Sequence, residues 1–396
     1  MTRLRLAVFN TQPPHLYFGG VERRIIETAK RMRSEIATTI YSGTKAGFTK
    51  PTKIEGIEMI PCFSTDSLFP VDNWFFNHTI SGAVDSIGAD IFEAHAVSGF
   101  GFQRALRKRN SKKPFIQTVH GVLADEYFQA LHAGSLSLRG KLANLMMWRL
   151  SGLEAEGARN ADLVVTISHY SCEKLIQLYN VDKSKTRIVP NGVDPERFKP
   201  GGDGETLKRR MDVGKRPIVL FVGRLIPRKG LSYLVEAAKV IVKERKDPVF
   251  LIVGNGPLRD KLINDLREAG LLENFRLLGD VRETLLPAVY NCADIFVLPS
   301  IQEGQGIALL EAQASGKPVV AFDTGGVSEA LQDEETGLLT EPSSWDLADA
   351  LLRLLSDKSL REKMGHKGRE FVSSSLSWEV CTRKMLEVYR EAKSLM

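Results

Sequence analysis

Two acidic and two basic residues in the later half of the chain have the types and spacing to handle a charged sugar compound. In the segment LPSIQEGQGIALLEAQASGKPVVA, Glu303 and Glu311 stand eight residues apart across a turn flanked by Gly304 and Gly306. Pro299 and Gly304 end a predicted strand, and Gly306 begins a helix. Five helical residues from Gly306 to Glu311 rise about 7.5 Å, so one carboxylate sits at the helix mouth and the other a turn and a half along. A carboxylate accepts from paired hydroxyls, and the free amides of Gly306, Ile307 and Ala308 point at whatever anion lies above them. The segment suits a ligand that carries both sugar and phosphate. Without the flanking glycines, glutamates at a helix start would only compensate the helix dipole.

The cations lie upstream in PIVLFVGRLIPRKG, where a strand ends at Gly223 and Arg224 follows, with Lys229 and Gly230 at the next helix start. Cations at that end of a helix oppose the macrodipole and call for an anionic partner. A diphosphate is one. Two further glycine pairs follow predicted strands: Gly19 and Gly20 before the helix of Val21, Ile25, Ile26 and Ala29, and Gly254 and Gly256 in VGNGP. Glycine lets the backbone approach a phosphate, although a plain loop-to-helix turn explains a glycine pair equally well. Gly254 and Gly256 form half of a dinucleotide fingerprint. Arg259 replaces the third glycine and no suitably placed acid follows, which argues against a nicotinamide cofactor.

These residues need strands behind them. Short β-branched runs alternate with amphipathic stretches from end to end, the pattern of parallel α/β sheets. The predicted strands of the first half are Leu4–Phe9, Ala37–Ser42, Ile57–Cys62, Asp90–His95, Pro114–His120, Leu163–Ser168 and Arg187–Pro190. Those of the second are Pro217–Gly223, Val249–Gly254, Phe275–Gly279, Ile295–Pro299, Pro318–Phe322 and Gly337–Thr340. The Pro- and Gly-rich interval Asn191–Arg216 is the expected linker. Two tandem doubly wound, Rossmann-like domains follow, with a cleft expected between them. In such sheets ligands gather at the carboxyl ends of strands. His120, which ends a strand and precedes Gly121, is therefore a candidate for contacting substrate, and Ser168 is a weaker candidate on the acceptor side.

Composition sets limits on the alternatives. A chain of 396 residues with 43% hydrophobic and 26% charged residues fits two ordinary globular domains and excludes wholesale disorder. Cys62, Cys172, Cys292 and Cys381 are too far apart in sequence for a zinc spacing or a dense disulfide framework, so a reducing cytoplasm is expected. The start of the chain lacks the apolar run of a secretory signal, and no stretch reaches membrane-spanning length. Net charge is +6, and residues 1–200 hold 26 Lys and Arg against 19 Asp and Glu, so the basic excess lies there. Part of it is the run Arg104, Arg107, Lys108, Arg109, Lys112 and Lys113, which is either a solvated helix end or a contact for anionic lipid or an acidic acceptor. The segment RGKLANLMMWRLSGL, with Leu142, Leu145, Met146 and Trp148 beside Lys141 and Arg149, fits core packing first and a membrane-facing amphipathic helix second. No nucleic-acid partner is expected.

Taken in order, FGGVER, FIQTVHG, VVTIS, VPNGVD, FVGRLIPRKG, VGNGP and EGQGIALLE resemble the motifs of the retaining GT-B glycosyltransferases of family 4, over nearly the whole chain. The resemblance implies an N-terminal acceptor-binding domain over residues 1–195 and a C-terminal domain for the nucleotide-sugar donor over 196–375. It also implies a last helix, about 376–396, that returns to the first domain. By the same resemblance Arg224 and Lys229 bind the donor diphosphate and stabilise its charge on departure, and Glu303 holds the transferred sugar. Glu311 binds the ribose, and the amides after Gln305 contact sugar and phosphate. Gly19 and Gly20 line the phosphate side, His120 sits near the anomeric carbon, and Val281 and Glu283 face the base.

The implied reaction transfers a hexose from a nucleoside diphosphate to a hydroxyl of a glycan, lipid or small molecule, with retention. There is no Asp-x-Asp triplet, so neither a metal nor a cofactor is expected. Gln305 stands where the family often has an aromatic residue, beside the sugar, which leaves GDP-mannose and UDP-hexose both open as donors. A nucleotide-sugar epimerase or a catalytically silent nucleotide-binding protein of the same fold are the competing readings.

Overall fold

The computed structural model describes residues 3–17, 19–66, 70–132 and 138–396, and the side chains of these except 132–143. The chain divides into two compact units, one of residues 1–191 and 378–396 and the other of residues 192–377.

In the first unit the strands are β1 (Leu4–Asn10), β2 (Ile36–Gly43), β3 (Thr52–Ile54), β4 (Ile57–Cys62), β5 (Ile91–His95), β6 (Phe115–Val119), β7 (Leu163–Thr166) and β8 (Thr186–Ile188). The helices are α1 (Gly20–Met32), α2 (Val71–Gly82), α3 (Phe100–Lys108), α4 (Leu123–His132), α5 (Leu138–Asn160) and α6 (His169–Tyr179). The strand order is β3-β4-β2-β1-β5-β6-β7-β8. All pairs are parallel except β3 with β4. Strand β3 escaped the sequence reading because it is three residues of an edge hairpin whose turn, Glu55 and Gly56, takes positive φ at both positions.

The second unit carries α7 (Gly204–Arg210), β9 (Ile218–Val222), α8 (Leu231–Glu244), β10 (Val249–Val253), α9 (Arg259–Glu268), β11 (Phe275–Gly279), α10 (Leu286–Cys292), β12 (Ile295–Leu298), α11 (Ile307–Ala314), β13 (Val319–Phe322), β14 (Gly337–Thr340), α12 (Ser344–Ser356) and α13 (Lys358–Ser375). Its sheet has the order β11-β10-β9-β12-β13-β14 and is parallel throughout. Successive strand residues face opposite sides, so Val219 and Phe221 of β9 join one core and Ile218 and Leu220 the other. A sheet covered on both faces needs the unbroken apolar runs seen in the sequence.

The expected linker is corrected. The stretch after Asn191 is integral to the second unit: Val193 N–H donates to Leu376 O at 2.9 Å, Arg197 pairs with Glu283 at 2.6 Å, and Arg369 donates to Pro195 O and Phe198 O. After α13 the last helix, α14 (Trp378–Ser394), belongs to the first unit. It packs on α1 and β5 through a stripe that includes Cys381, Met385, Val388, Tyr389 and Ala392.

Candidate functional site

Each sheet reverses its winding at one place, β9 and β12 in the second unit and β1 and β5 in the first. Open α/β sheets bind ligands outside the carboxyl ends of the strands at such switch points. The loops that leave β9 and β12 carry Arg224, Arg228, Lys229 and Glu303.

Backbone packing holds these two loops together. Ile301 N–H donates to Arg228 O at 2.9 Å, and Gly326 N–H donates to Glu303 O at 3.0 Å. Gly230 has φ +64 and a Cβ there would lie 1.8 Å from Pro299 O; Gly325 has φ +60, and a Cβ would lie 2.0 Å from Glu303 O. Only glycine permits approaches this close.

The Lys229 ammonium donates directly to Glu303 Oε2, and Arg228 Nη1 lies 3.8 Å from the same oxygen. Burial pushes the Glu303 pKa up, but Lys229 and Arg228 outweigh it and the net shift is down. Glu303 is thus held as a carboxylate with acceptor capacity only. Arg224 is exposed and its side chain has no hydrogen-bond or ion-pair partner among the described residues.

Gly306, with φ +88, caps α11, whose first residues Ile307 and Ala308 are half-buried, while Gln305 is buried. The fold thus brings Arg224, Lys229, Glu303 and the start of α11 to one switch point.

Glu311, expected at the ribose, is 2% exposed on a helix buried on every side from Leu309 to Ala314, and its Oε2 accepts from Tyr290 Oη at 2.7 Å. Glu283, expected at the base, is held by Arg197, whose Nη2 reaches both its carboxylate, at 2.6 Å, and its carbonyl, at 2.7 Å. Val281 beside it is half-buried against the core. Gly254 and Gly256 serve the packing of loops: a Cβ on Gly254 would lie 2.1 Å from Gly223 O, and one on Gly256 2.5 Å from Leu225 O. These approaches account for the incomplete fingerprint without a dinucleotide.

In the first unit Gly20 opens α1 and Gly19 caps it. That helix start is met by a carboxylate of its own: Glu22, hydrogen-bonded by the backbone of Glu22 and Gly19 and by Asn10 Nδ2 at 3.2 Å. Burial nonetheless raises the Glu22 pKa. Ser168 is corrected from an acceptor contact to a helix cap, fully buried, with its Oγ accepting from Ser171 N–H at 3.1 Å.

His120 is half-buried just past β6, and its Nε2 lies 2.8 Å from Nδ1 of His95, the last residue of β5. His95 was missed in the sequence, though the argument that singled out His120, a histidine ending a buried strand, applies to it equally.

Half of the basic run is paired, Arg104 with Glu156, Arg107 with Asp162 and Arg109 with Asp85. In α5, core packing fails for Leu145, Met146 and Trp148, which are exposed. Trp148 instead lies against Tyr127 and Phe128 of α4, tilted to the first ring and edge-on to the second. The Lys141 and Leu142 side chains lie outside the described residues. Among the described residues no helix is long and apolar enough to cross a membrane, and all four cysteines are free and buried.

Two Rossmann-like halves, the second with an acid and cations at its switch point, define the GT-B class of glycosyltransferase folds. The family model for "Glycosyl transferases group 1" matches residues 205–371, and that for "Glycosyltransferase Family 4" matches 18–197. An uncharacterized glycosyltransferase of Methanocaldococcus jannaschii is 30% identical over 275 residues, 68% of this chain and 70% of the relative. The GDP-mannose-dependent alpha-(1-6)-phosphatidylinositol monomannoside mannosyltransferase of Mycobacterium tuberculosis is 34% identical over 238 residues, 58% of this chain and 62% of the relative. The match thus covers less than two thirds of that relative's length. Sucrose-phosphate synthase from Thermosynechococcus elongatus has the same fold, with a TM-score of 0.85 at 22% identity and 100% of both chains covered. The chain belongs to glycosyltransferase family 4.

Proposed function

We propose that the protein transfers a hexosyl group from a nucleoside diphosphate sugar to an acceptor hydroxyl, with retention and without a metal. The observation that carries this reading is the Lys229–Glu303 pair at the switch point, with the exposed Arg224 beside it and without a partner among the described residues. An ammonium has three donors. One is held by Glu303, and the others remain for a phosphate oxygen. Arg224 adds a fixed fork that suits a diphosphate. Both cations stabilise the negative charge that grows on the leaving group, where a preorganised charge lowers the barrier most. Glu303, kept ionised, accepts from hydroxyls of the sugar and orients its ring. Departure of the nucleoside diphosphate leaves an oxocarbenium-like carbon for the acceptor oxygen to attack, and the leaving phosphate takes the acceptor proton.

GDP-mannose is the first donor to test, because the mycobacterial relative is named for it, and UDP-hexoses come second. The Arg197–Glu283 pair weakens any preference for guanine through Glu283. The acceptor is a glycan, lipid or small-molecule hydroxyl. The test is a donor screen that measures release of GDP, UDP or ADP with acceptor extracts. Nucleotide release that depends on acceptor supports transfer. Conversion of donor alone to an epimer, or an intact donor after prolonged incubation, overturns it.

A further inference from the structure

The polar groups beneath His120 form a buried relay inside the first unit. His120 Nε2 and His95 Nδ1 are 2.8 Å apart with the rings nearly parallel. The other nitrogen of His95, Nε2, lies 3.5 Å from Glu93 Oε1. Glu93 is fixed in turn: Thr118 Oγ1 donates to its Oε1 at 2.6 Å, and Tyr389 Oη of α14 donates to its Oε2. Glu93 and His95 are 2% and 3% exposed. Arg24 of α1, also buried, is pinned by Val189 O at 2.7 Å and Asn191 Oδ1 at 3.1 Å.

Only one proton fits between the two rings. If His95 supplied it from Nδ1, its Nε2 lone pair would face the Glu93 carboxylate, which is repulsive. With the proton on His95 Nε2, that N–H faces the carboxylate and Nδ1 accepts from His120. At 3.5 Å this contact is Coulombic and not a short hydrogen bond, yet it decides between two otherwise similar tautomers. Addition of a further proton is opposed by burial, which takes His95 down to about 4 and His120 well below its usual range, with Arg24 lowering both.

We propose that Glu93 and His95 are positioning residues that lock His120 in the tautomer protonated on Nε2, so that its Nδ1 presents a lone pair to a hydroxyl of the sugar substrate. This rests on the transfer reading above. His120 Nδ1 has no partner among the described residues. So weak a base does not take a proton at neutral pH, and its part is to accept a hydrogen bond that orients the hydroxyl.

The test begins with nitrogen NMR of the full chain labelled in histidine, with His120 assigned by its loss in His120→Gln. A neutral ring protonated on Nε2 is expected at neutral pH. A proton on Nδ1, or a charged ring, overturns the proposal. Glu93→Gln and His95→Leu should lower kcat about threefold to tenfold, the size of one hydrogen bond between neutral groups, leave the donor KM in place and mix the His120 tautomers. His95→Asn, whose Oδ1 replaces the Nδ1 acceptor, should recover most of the rate. Unchanged tautomer and kcat in His95→Leu would sink the relay while transfer stands. Failure of GDP, UDP and ADP to bind in calorimetry would remove the transfer reading, and the tautomer measurement would still decide the relay.

Discussion

Glu303 in the second unit and the pair His95 and Glu154 in the first respond to burial in opposite ways. In the second, Glu303 is pushed up by burial but pulled down further by Lys229 and Arg228, so the charged form wins. At His95 and Glu154 of the first, burial prevails. His95 falls to about 4, and Glu154, despite accepting from Tyr179 Oη at 2.6 Å and Leu123 N–H at 3.0 Å, rises to about 7. The difference follows from the neighbours. A carboxylate beside two cations recovers its lost hydration through Coulomb attraction, whereas neutral hydroxyl and amide donors recover only part of it. A cationic switch point suits a diphosphate, and neutral imidazoles suit hydroxyls.

The strongest attempt to break this contrast is Glu303→Ala. It should lower donor turnover about 10³-fold, the loss of two hydrogen bonds from a charged acceptor, while GDP or UDP affinity by calorimetry changes little. Turnover that survives would remove Glu303 from the sugar.

Glu154 tests the neutral side. A carboxyl with a raised folded pKa binds more protons folded than unfolded, so its contribution falls as pH rises from the ordinary glutamate value through about 7. Glu154→Gln should therefore gain on the parent protein by about 3 kcal/mol between acidic and mildly alkaline pH, read from urea unfolding at both ends. A constant difference would mean that Glu154 is already charged.

Lys229→Ala and Arg224→Ala should each lower kcat/KM by about 10²-fold. Lys229→Ala should also move the acid limb of the pH–rate profile upward, because burial then controls Glu303. Arg224→Ala should leave that limb in place, and identical profiles for the two variants would dissolve the Lys229–Glu303 pairing as the cause. The smallest effect is expected for Tyr290→Phe, a loss of about 1–2 kcal/mol from the second unit. A fall in nucleotide affinity without loss of stability would move Glu311 from the core to the ligand.

Much of the strand framework was legible in the sequence, because a parallel strand buried on both faces must be apolar along its length. PIVLFVG and VFLIVG leave little choice. The switch point of the second unit was legible too, since Arg224, Lys229 and the Glu303 segment follow predicted strands directly. Partners were not. Glu283 with Arg197 and Glu311 with Tyr290 join side chains 86 and 21 positions apart, and Ser168 as a helix cap turns on where α6 begins. The linker also misled, because glycine and proline mark irregular chain whether it packs or not.

Residue order alone determined where each sheet's strands end and which chemical groups stand there. Tertiary structure decided their state: it set Lys229 against Glu303 and seated His120 on His95, Glu93 and a tyrosine from the far end of the chain. Hydrogen bonds and charge pairs act over a few ångströms, here between Tyr389 and Glu93, 296 positions apart. No local pattern records such distances, and only the closed fold supplies them.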